Sequence, residues 1–300
     1  MRSRGPVPPH LYFAGSAVFH YLGPAFAVLL FARVDVLGVA WLRIASAALV
    51  FALWRRPWRA FRALDREGRR LLVWWGVVLA VMNCCFYTAI DRLPLGTVAT
   101  IEFLPVIVLA AIGARTLRNG AALLLAAPGV YLITGVRLDG EPIGVAFAFA
   151  NAILFAVYIV LAHRVARHSS VSGIDGLAAS MLVAAVAVTP MGGWQVLPAA
   201  LDPVALAAGA GVGISSSVIP YVFDQLAMAR LSRATYALMV ALLPATATII
   251  GVVVLGQVPS VAELLGVLLV VIGVAVHRDP DARAEEAVTP SSPRPASSAA

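Results

Sequence analysis

Ten apolar runs, each about long enough to cross a bilayer, leave this chain almost no polar surface with which to face water. They fall at about 11–32, 36–54, 71–90, 94–113, 120–136, 143–162, 174–193, 204–227, 234–255 and 260–276, bounded by Arg, Pro, Gly and Asp. A spanning helix needs roughly 20 apolar residues, with about 17 as the lower limit. In lipid every backbone N–H and C=O has to be satisfied within the segment, so spans of this length fold as helices. Only 12% of the 300 residues are charged, against roughly 25% in a soluble domain. The expectation is an all-α integral membrane protein of ten transmembrane helices, and a soluble-domain reading is excluded.

The net charge of +7 does not point to nucleic acid. All 22 basic residues are Arg, and basic residues of membrane proteins collect in cytoplasmic loops. With the N-terminus in the cytoplasm, 18 Arg fall on the inner side, including the seven in 55–70 (RRPWRAFRALDREGRR). Only Arg33, Arg92 and Arg137 fall outside, and Arg43 lies within a span. This asymmetry supports the ten-helix count, with both termini cytoplasmic. Residues 1–10 form a cytoplasmic segment without the cleavage site of a signal peptide. The polar, Pro- and Ser-rich stretch 277–300 is expected to be a disordered cytoplasmic tail.

The two sets of five spans, 11–136 and 143–276, resemble each other. Residues 89–100 (AIDRLPLGTVAT) align without gaps to 227–238 (AMARLSRATYAL), with five of twelve positions identical. Each segment joins the third and fourth helix of its set. A five-helix repeat is odd-numbered, so the second copy is inverted, a recurring design of secondary transporters with the substrate site near the midplane.

Polar residues within spans are costly in hydrocarbon and therefore informative. Glu102, in TVATIEFLPVIVL, lies about 12 Å below the outer end of the fourth span at helical rise. Arg43 is about 10 Å deep in the second span, and Asn83 lies at a similar depth in the third. Two arrangements of this layer are weighed. Either the three line a cavity in which Glu102 holds a cationic group or a coupling proton and Arg43 a carboxylate, or Arg43 and Glu102 close into an ion pair. His20 lies deeper in the first span, as a packing group or a proton carrier. Asp224 and Gln225 lie near the inner end of the eighth span, as an interfacial pair or part of a gate. Asp91 and Glu263 sit at span ends and read as hydrated carboxylates. Pro105 and Pro244, at near-equivalent places in the fourth and ninth spans, and Pro128 and Pro220 in the fifth and eighth, are candidate helix breaks, because proline frees a carbonyl that a neighbour or cavity has to satisfy.

Cys84 and Cys85 are adjacent within a span and offer neither metal-ligand spacing nor a disulfide framework. No HExxH or nucleophile-elbow pattern appears. A P-loop cannot form without Lys. No enzyme chemistry, metal or cofactor is expected, and any driving force is an ion gradient or the substrate's own. No repeated filter segment of the kind that gives channels their selectivity appears either, although scattered midplane polar groups leave a channel as an alternative of another class.

Residues 215–257 (SSSVIPYVFDQLAMARLSRATYALMVALLPATATIIGVVVLGQ) and 76–110 (GVVLAVMNCCFYTAIDRLPLGTVATIEFLPVIVLA), with Leu42–Arg43 followed by RPWR at 56–59, resemble EamA-type transporters of the drug/metabolite transporter superfamily. The likeness covers about 11–276 and is greatest to the threonine/homoserine exporter type. It implies a plasma-membrane carrier of two inverted five-helix repeats that exports amino acids or related metabolites, with a multidrug or other metabolite exporter of the same superfamily as the alternative. Arg43, Asn83, Glu102, Pro220, Tyr221 and Pro244 match family pattern positions, and Asp224 falls where the exporter type tends to be acidic. Leu243 departs from the Glu that the family often places before the ninth-helix proline. The implied partners are a small-molecule substrate and the lipid bilayer, with a homodimer left open.

Overall fold

The structure is a computed structural model that describes residues 8–105, 117–138, 141–166, 173–228 and 242–276. Residues 1–7, the tail 277–300 and the portions 106–113 and 234–241 of the fourth and ninth expected spans lie outside the described residues. Among the described residues every regular element is helical: α1 (Pro9–Leu30), α2 (Val36–Arg55), α3 (Trp58–Ala63), α4 (Arg66–Arg92), α5 (Leu95–Glu102), α6 (Leu117–Leu138), α7 (Pro142–Ala166), α8 (Gly173–Gly192), a 3-10 turn (Gly193–Ala199), α9 (Pro203–Gly213), a π-helical segment (Ile214–Val218), α10 (Ile219–Met228), α11 (Leu243–Leu255) and α12 (Val261–Val276). Six stretches are long and apolar enough to cross a membrane: α1, α2, α4, α7, α8 with the 3-10 turn, and α9 through the first half of α10. The apolar parts of α6, α11 and α12 are shorter. The chain is a multi-pass membrane protein.

Local chemistry sets the helix ends. The third span was expected over 71–90, but α4 begins at Arg66 because Asp65 caps it, its Oδ1 accepting from the Gly68 amide at 2.8 Å. The polar turn 66–70 thus extends the helix beyond its apolar run. Asp202 caps α9 likewise, accepting from the amides of Val204 (2.9 Å) and Ala205 (3.1 Å), while Arg33 Nη1 donates to its other oxygen at 3.1 Å. The Ala205 amide foremost, and then Arg33, hold the Asp202 carboxyl below the usual carboxylate range. Glu263 corrects an expectation. It is not hydrated but only 2% exposed, and it forms a capping box with Ser260. Its Oε2 accepts from the Ser260 amide (2.8 Å) and hydroxyl (3.0 Å), and its own amide donates to Ser260 Oγ. The Ser-Val-Ala-Glu spacing is the signature of that motif.

The fourth run is interrupted just before Pro105. Helix α5 stops at Glu102 and Phe103 is a turn residue two positions before Pro105. In the ninth run Leu242 is a turn residue two positions before Pro244, and α11 starts at Leu243. Pro128 lies within a continuous α6 and does not break it.

The most extensive helix contacts join residues 8–138 to residues 141–276: α6 with α12, α4 with α7 and α8, α2 with α8 and α9, α1 with α10 and α11, and α5 with α11; α5 also meets α7. Leu49, Leu124, Val186 and Val253 point outward, more than half exposed, as lipid-facing side chains do. Small residues allow the close crossings. At Gly213 an added Cβ would lie 2.5 Å from the Arg43 carbonyl oxygen, so α9 approaches α2 where only glycine fits.

Candidate functional site

In the middle turns of the bundle, α1, α2, α4, α5, α7, α8, the π segment and α10 enclose a cavity of about 60 Å³. His20, Arg43, Asn83, Glu102 and Tyr221 all line it, so five expected pathway residues meet at one place. Asn151, Phe155, Tyr158, Met82, Met181 and Ser217 complete much of the wall. Asp224 belongs to α10, but its side chain lies outside the described residues. A cavity this size holds a few waters and is well below the several hundred Å³ of a typical ligand pocket.

Arg43 finds its partners on the π segment. Its Nε donates to Ser217 Oγ at 3.3 Å and its Nη2 to the Ser216 carbonyl at 3.5 Å, and its guanidinium carbon sits 5.5 Å from the Tyr87 ring centroid. Proline explains why that carbonyl is available. In an α-helix Ser216 O would accept from the amide four residues on, but residue 220 is proline and has none. The local widening to π geometry, with the Ile219 amide donating to Ile214 O, is a frequent feature of functional sites. Pro220 also accepts through its own carbonyl from Ser16 Oγ at 3.2 Å, tying α1 to α10.

Glu102 is 9% exposed and accepts from Asn151 Nδ2 at 3.1 Å. Asn151 is fully buried, and its Oδ1 has no hydrogen-bond partner among the described residues. Arg43 and Glu102 do not form an ion pair; the ion pairs among the described residues are Arg33–Asp202, Arg55–Asp175 and Arg92–Glu141. Asn83 donates to the Leu79 carbonyl one turn back at 2.8 Å, which leaves its oxygen for the cavity. His20 packs edge-on against Tyr21, with ring centroids 5.3 Å apart.

One side of the cavity is aromatic. The Tyr158 and Tyr221 hydroxyls lie 3.3 Å apart, and Tyr158 stacks on Phe155 at 6.1 Å and leans on Trp75 at 5.7 Å. Asn151 and Tyr158 escaped the sequence reading. Asn151 carried a usable signal, a lone amide in the apolar run AFAFANAILFAV, whereas Tyr158 sits where an interfacial tyrosine is unremarkable. Groups of three or more His, Cys, Asp and Glu able to hold a metal do not occur among the described residues. Cys84 and Cys85 are buried free thiols in the α4 interface.

The geometry can therefore present a cation and an anion to one small solute, with neutral amides and hydroxyls between them. Residues 142–277 match the EamA-like transporter family. The chain is 29% identical over 247 residues to the threonine/homoserine exporter RhtA of Escherichia coli strain K12, covering 81% of this chain and 82% of the relative. It is 28% identical over 253 residues to RhtA of Salmonella typhimurium strain LT2, covering 83% and 84%. A solved crystal structure, 21% identical, shares the fold with a TM-score of 0.56 over 89% of this chain and 96% of its own. The chain thus carries an EamA-family transporter domain and is homologous over four fifths of its length to threonine/homoserine exporters.

Proposed function

We propose that this protein is a secondary carrier that exports amino acids of the threonine/homoserine class across the plasma membrane by alternating access. The observation that carries the reading is the pair of unlike charges, Arg43 and Glu102, lining one cavity without pairing with each other. An amino acid brings the complementary charges, a carboxylate for the Arg43 guanidinium and an ammonium for Glu102. In the low-dielectric bundle each of these bonds is stronger than in water. With the cavity empty of substrate, Glu102 is the group that holds the coupling proton. Asn83, Asn151 and Ser217 supply neutral contacts, and the Tyr158–Tyr221 hydroxyl pair closes one side.

The reading includes ten spans in two inverted five-helix repeats, 11–136 and 143–276, with both termini cytoplasmic. Two observations support the repeat. The turns at Phe103 and Leu242 stand in the same relation to Pro105 and Pro244. The helix contacts also come in mates: α4 with α7 is matched by α1 with α10, α4 with α8 by α2 with α9, and α5 with α7 by α1 with α11. Inverted repeats that meet at a midplane site are the architecture that rocks between inward- and outward-open states.

Labelled-threonine counterflow in proteoliposomes, with and without an imposed pH gradient, tests the proposal on wild type and Glu102→Gln. Saturable exchange by wild type that responds to the gradient, and that falls about 10- to 100-fold in the variant with loss of that response, is the expected result. Absence of exchange by folded wild type sets aside the amino-acid assignment, and full pH-responsive exchange by Glu102→Gln removes Glu102 from the pathway.

A further inference from the structure

A second and larger cavity, about 550 Å³, lies at the end of the bundle where α2 runs into α3, beside the start of α8. Arg55, Arg56, Arg59 and Asp175 line it, together with Leu53 and Trp54. Three guanidiniums thus face one carboxylate. Arg55 is already committed, its Nε and Nη2 each 2.9 Å from Asp175 Oδ1 and its guanidinium carbon 5.5 Å from the Trp54 ring centroid. Arg56 and Arg59 make no side-chain hydrogen bond or ion pair among the described residues, and both are exposed.

The backbone holds Arg56 in an unfavourable conformation. It caps α2 in the left-handed region with φ 51°, the one positive-φ residue other than glycine among the described residues. Glycine or asparagine normally occupies that position, and an arginine there is strained. The turn that follows, closed by the Arg59 amide on the Arg56 carbonyl at 2.9 Å, brings Arg59 back to the same cavity. The rim is apolar on the lipid side, where Leu53 is 77% exposed, Trp54 51% and Trp58 46%. Tryptophan of this kind sits at the headgroup level of a bilayer. A ligand that fits both parts carries a phosphate for the free guanidiniums and an acyl portion for the Leu53–Trp54 rim.

We propose that this cavity binds the phosphate of an anionic lipid headgroup, with Arg56 and Arg59 as its ligands. The exposed apolar rim favours a lipid over free phosphate, which needs no such surface. Basic pockets beside spanning helices are a known chemistry for anionic headgroups, and each arginine near such a surface strengthens binding about five-fold. The site is remote from the mid-bundle cavity and does not depend on which solute that cavity carries.

The test uses the purified full-length chain in detergent, with phosphatidylglycerol and phosphatidylcholine added in equal amounts and retained lipid read by native mass spectrometry. Wild type is expected to retain phosphatidylglycerol about ten-fold or more over phosphatidylcholine. Arg56→Gly, which relieves the left-handed strain and so keeps the fold, and Arg59→Gln are each expected to lower that preference about five-fold. The paired control Arg66→Gln/Arg70→Gln removes charge from the start of α4 outside the cavity and is expected to leave the preference unchanged. Equal retention of the two lipids by wild type would overturn the proposal, as would an equal loss in the control. Displacement of phosphatidylglycerol by millimolar inorganic phosphate would overturn the lipid assignment in favour of a free-anion site.

Discussion

Charged groups behave differently at the two ends of the bundle and at its middle. At the ends, Arg33 meets Asp202 at 3.1 Å, Arg92 meets Glu141 at 3.8 Å and Arg55 meets Asp175 at 2.9 Å. These are exposed or half-exposed contacts, of a kind worth little. In the middle, where an ion pair is least screened, Arg43 and Glu102 line the same cavity and do not close on each other. Arg43 is held by Ser217 and the Ser216 carbonyl, and Glu102 by Asn151. Each charge is oriented by a neutral partner and left able to accept another. The difference separates pairs that fasten helix ends from charges kept apart for a solute to bridge.

The comparison is broken most directly in the middle. Arg43→Gln and Glu102→Gln are each expected to lower threonine counterflow by about 10- to 100-fold, the equivalent of one charge-assisted hydrogen bond. Fluorescence-detected size exclusion checks that both variants stay folded. Asn151→Leu removes the donor that orients Glu102 while keeping its branched shape, and about a ten-fold loss of exchange is expected, with Asn151→Gln recovering part of it. Pro220→Ala returns an amide to the Ser216 carbonyl and withdraws that acceptor from Arg43. Exchange then falls about five-fold or less, while the thermal midpoint in detergent holds or rises.

The ends supply the smallest effect. Arg33→Ala is expected to leave counterflow within about two-fold of wild type and to lower the thermal midpoint slightly at neutral pH. Because the folded-state pKa of Asp202 is depressed, the stability that its contacts contribute is present above the ordinary carboxylate range and lost as pH falls through the depressed value. The difference between wild type and Arg33→Ala therefore shrinks on acidification, which a thermal-shift series across pH reads out.

Much of this contrast was legible in the chain itself. Apolar runs placed the six stretches long enough to cross a bilayer, because a bilayer imposes a length on any helix that spans it. Depth along those runs brought Arg43, Asn83 and Glu102 to one cavity, and Pro105 marked the turn that interrupts the fourth run. The Ser260–Glu263 capping box and Asn151 were equally readable. Each has a bland reading that competes with it, since a carboxylate at a span end reads as hydrated and a single asparagine barely alters an apolar run. The partner of Arg43 was not legible. It depends on the register of α2 against α9 at Gly213 and on the π widening before Pro220, both set by how helices cross. Pro128 shows the converse, since proline permits a break and tertiary packing decides whether one occurs.

The central claim is that Arg43 reads a carboxylate and Glu102 an ammonium on one solute. The most direct measurement is competition of labelled-threonine counterflow by unlabelled threonine, by threoninol, which lacks the carboxylate, and by 3-hydroxybutyrate, which lacks the amine. The wild type is expected to favour threonine over either analogue by about ten-fold or more. Arg43→Gln should then lose discrimination against threoninol alone, and Glu102→Gln against 3-hydroxybutyrate alone. If residual exchange in both variants keeps the wild-type order and ratios, neither charge touches the solute, and the account of the cavity is wrong.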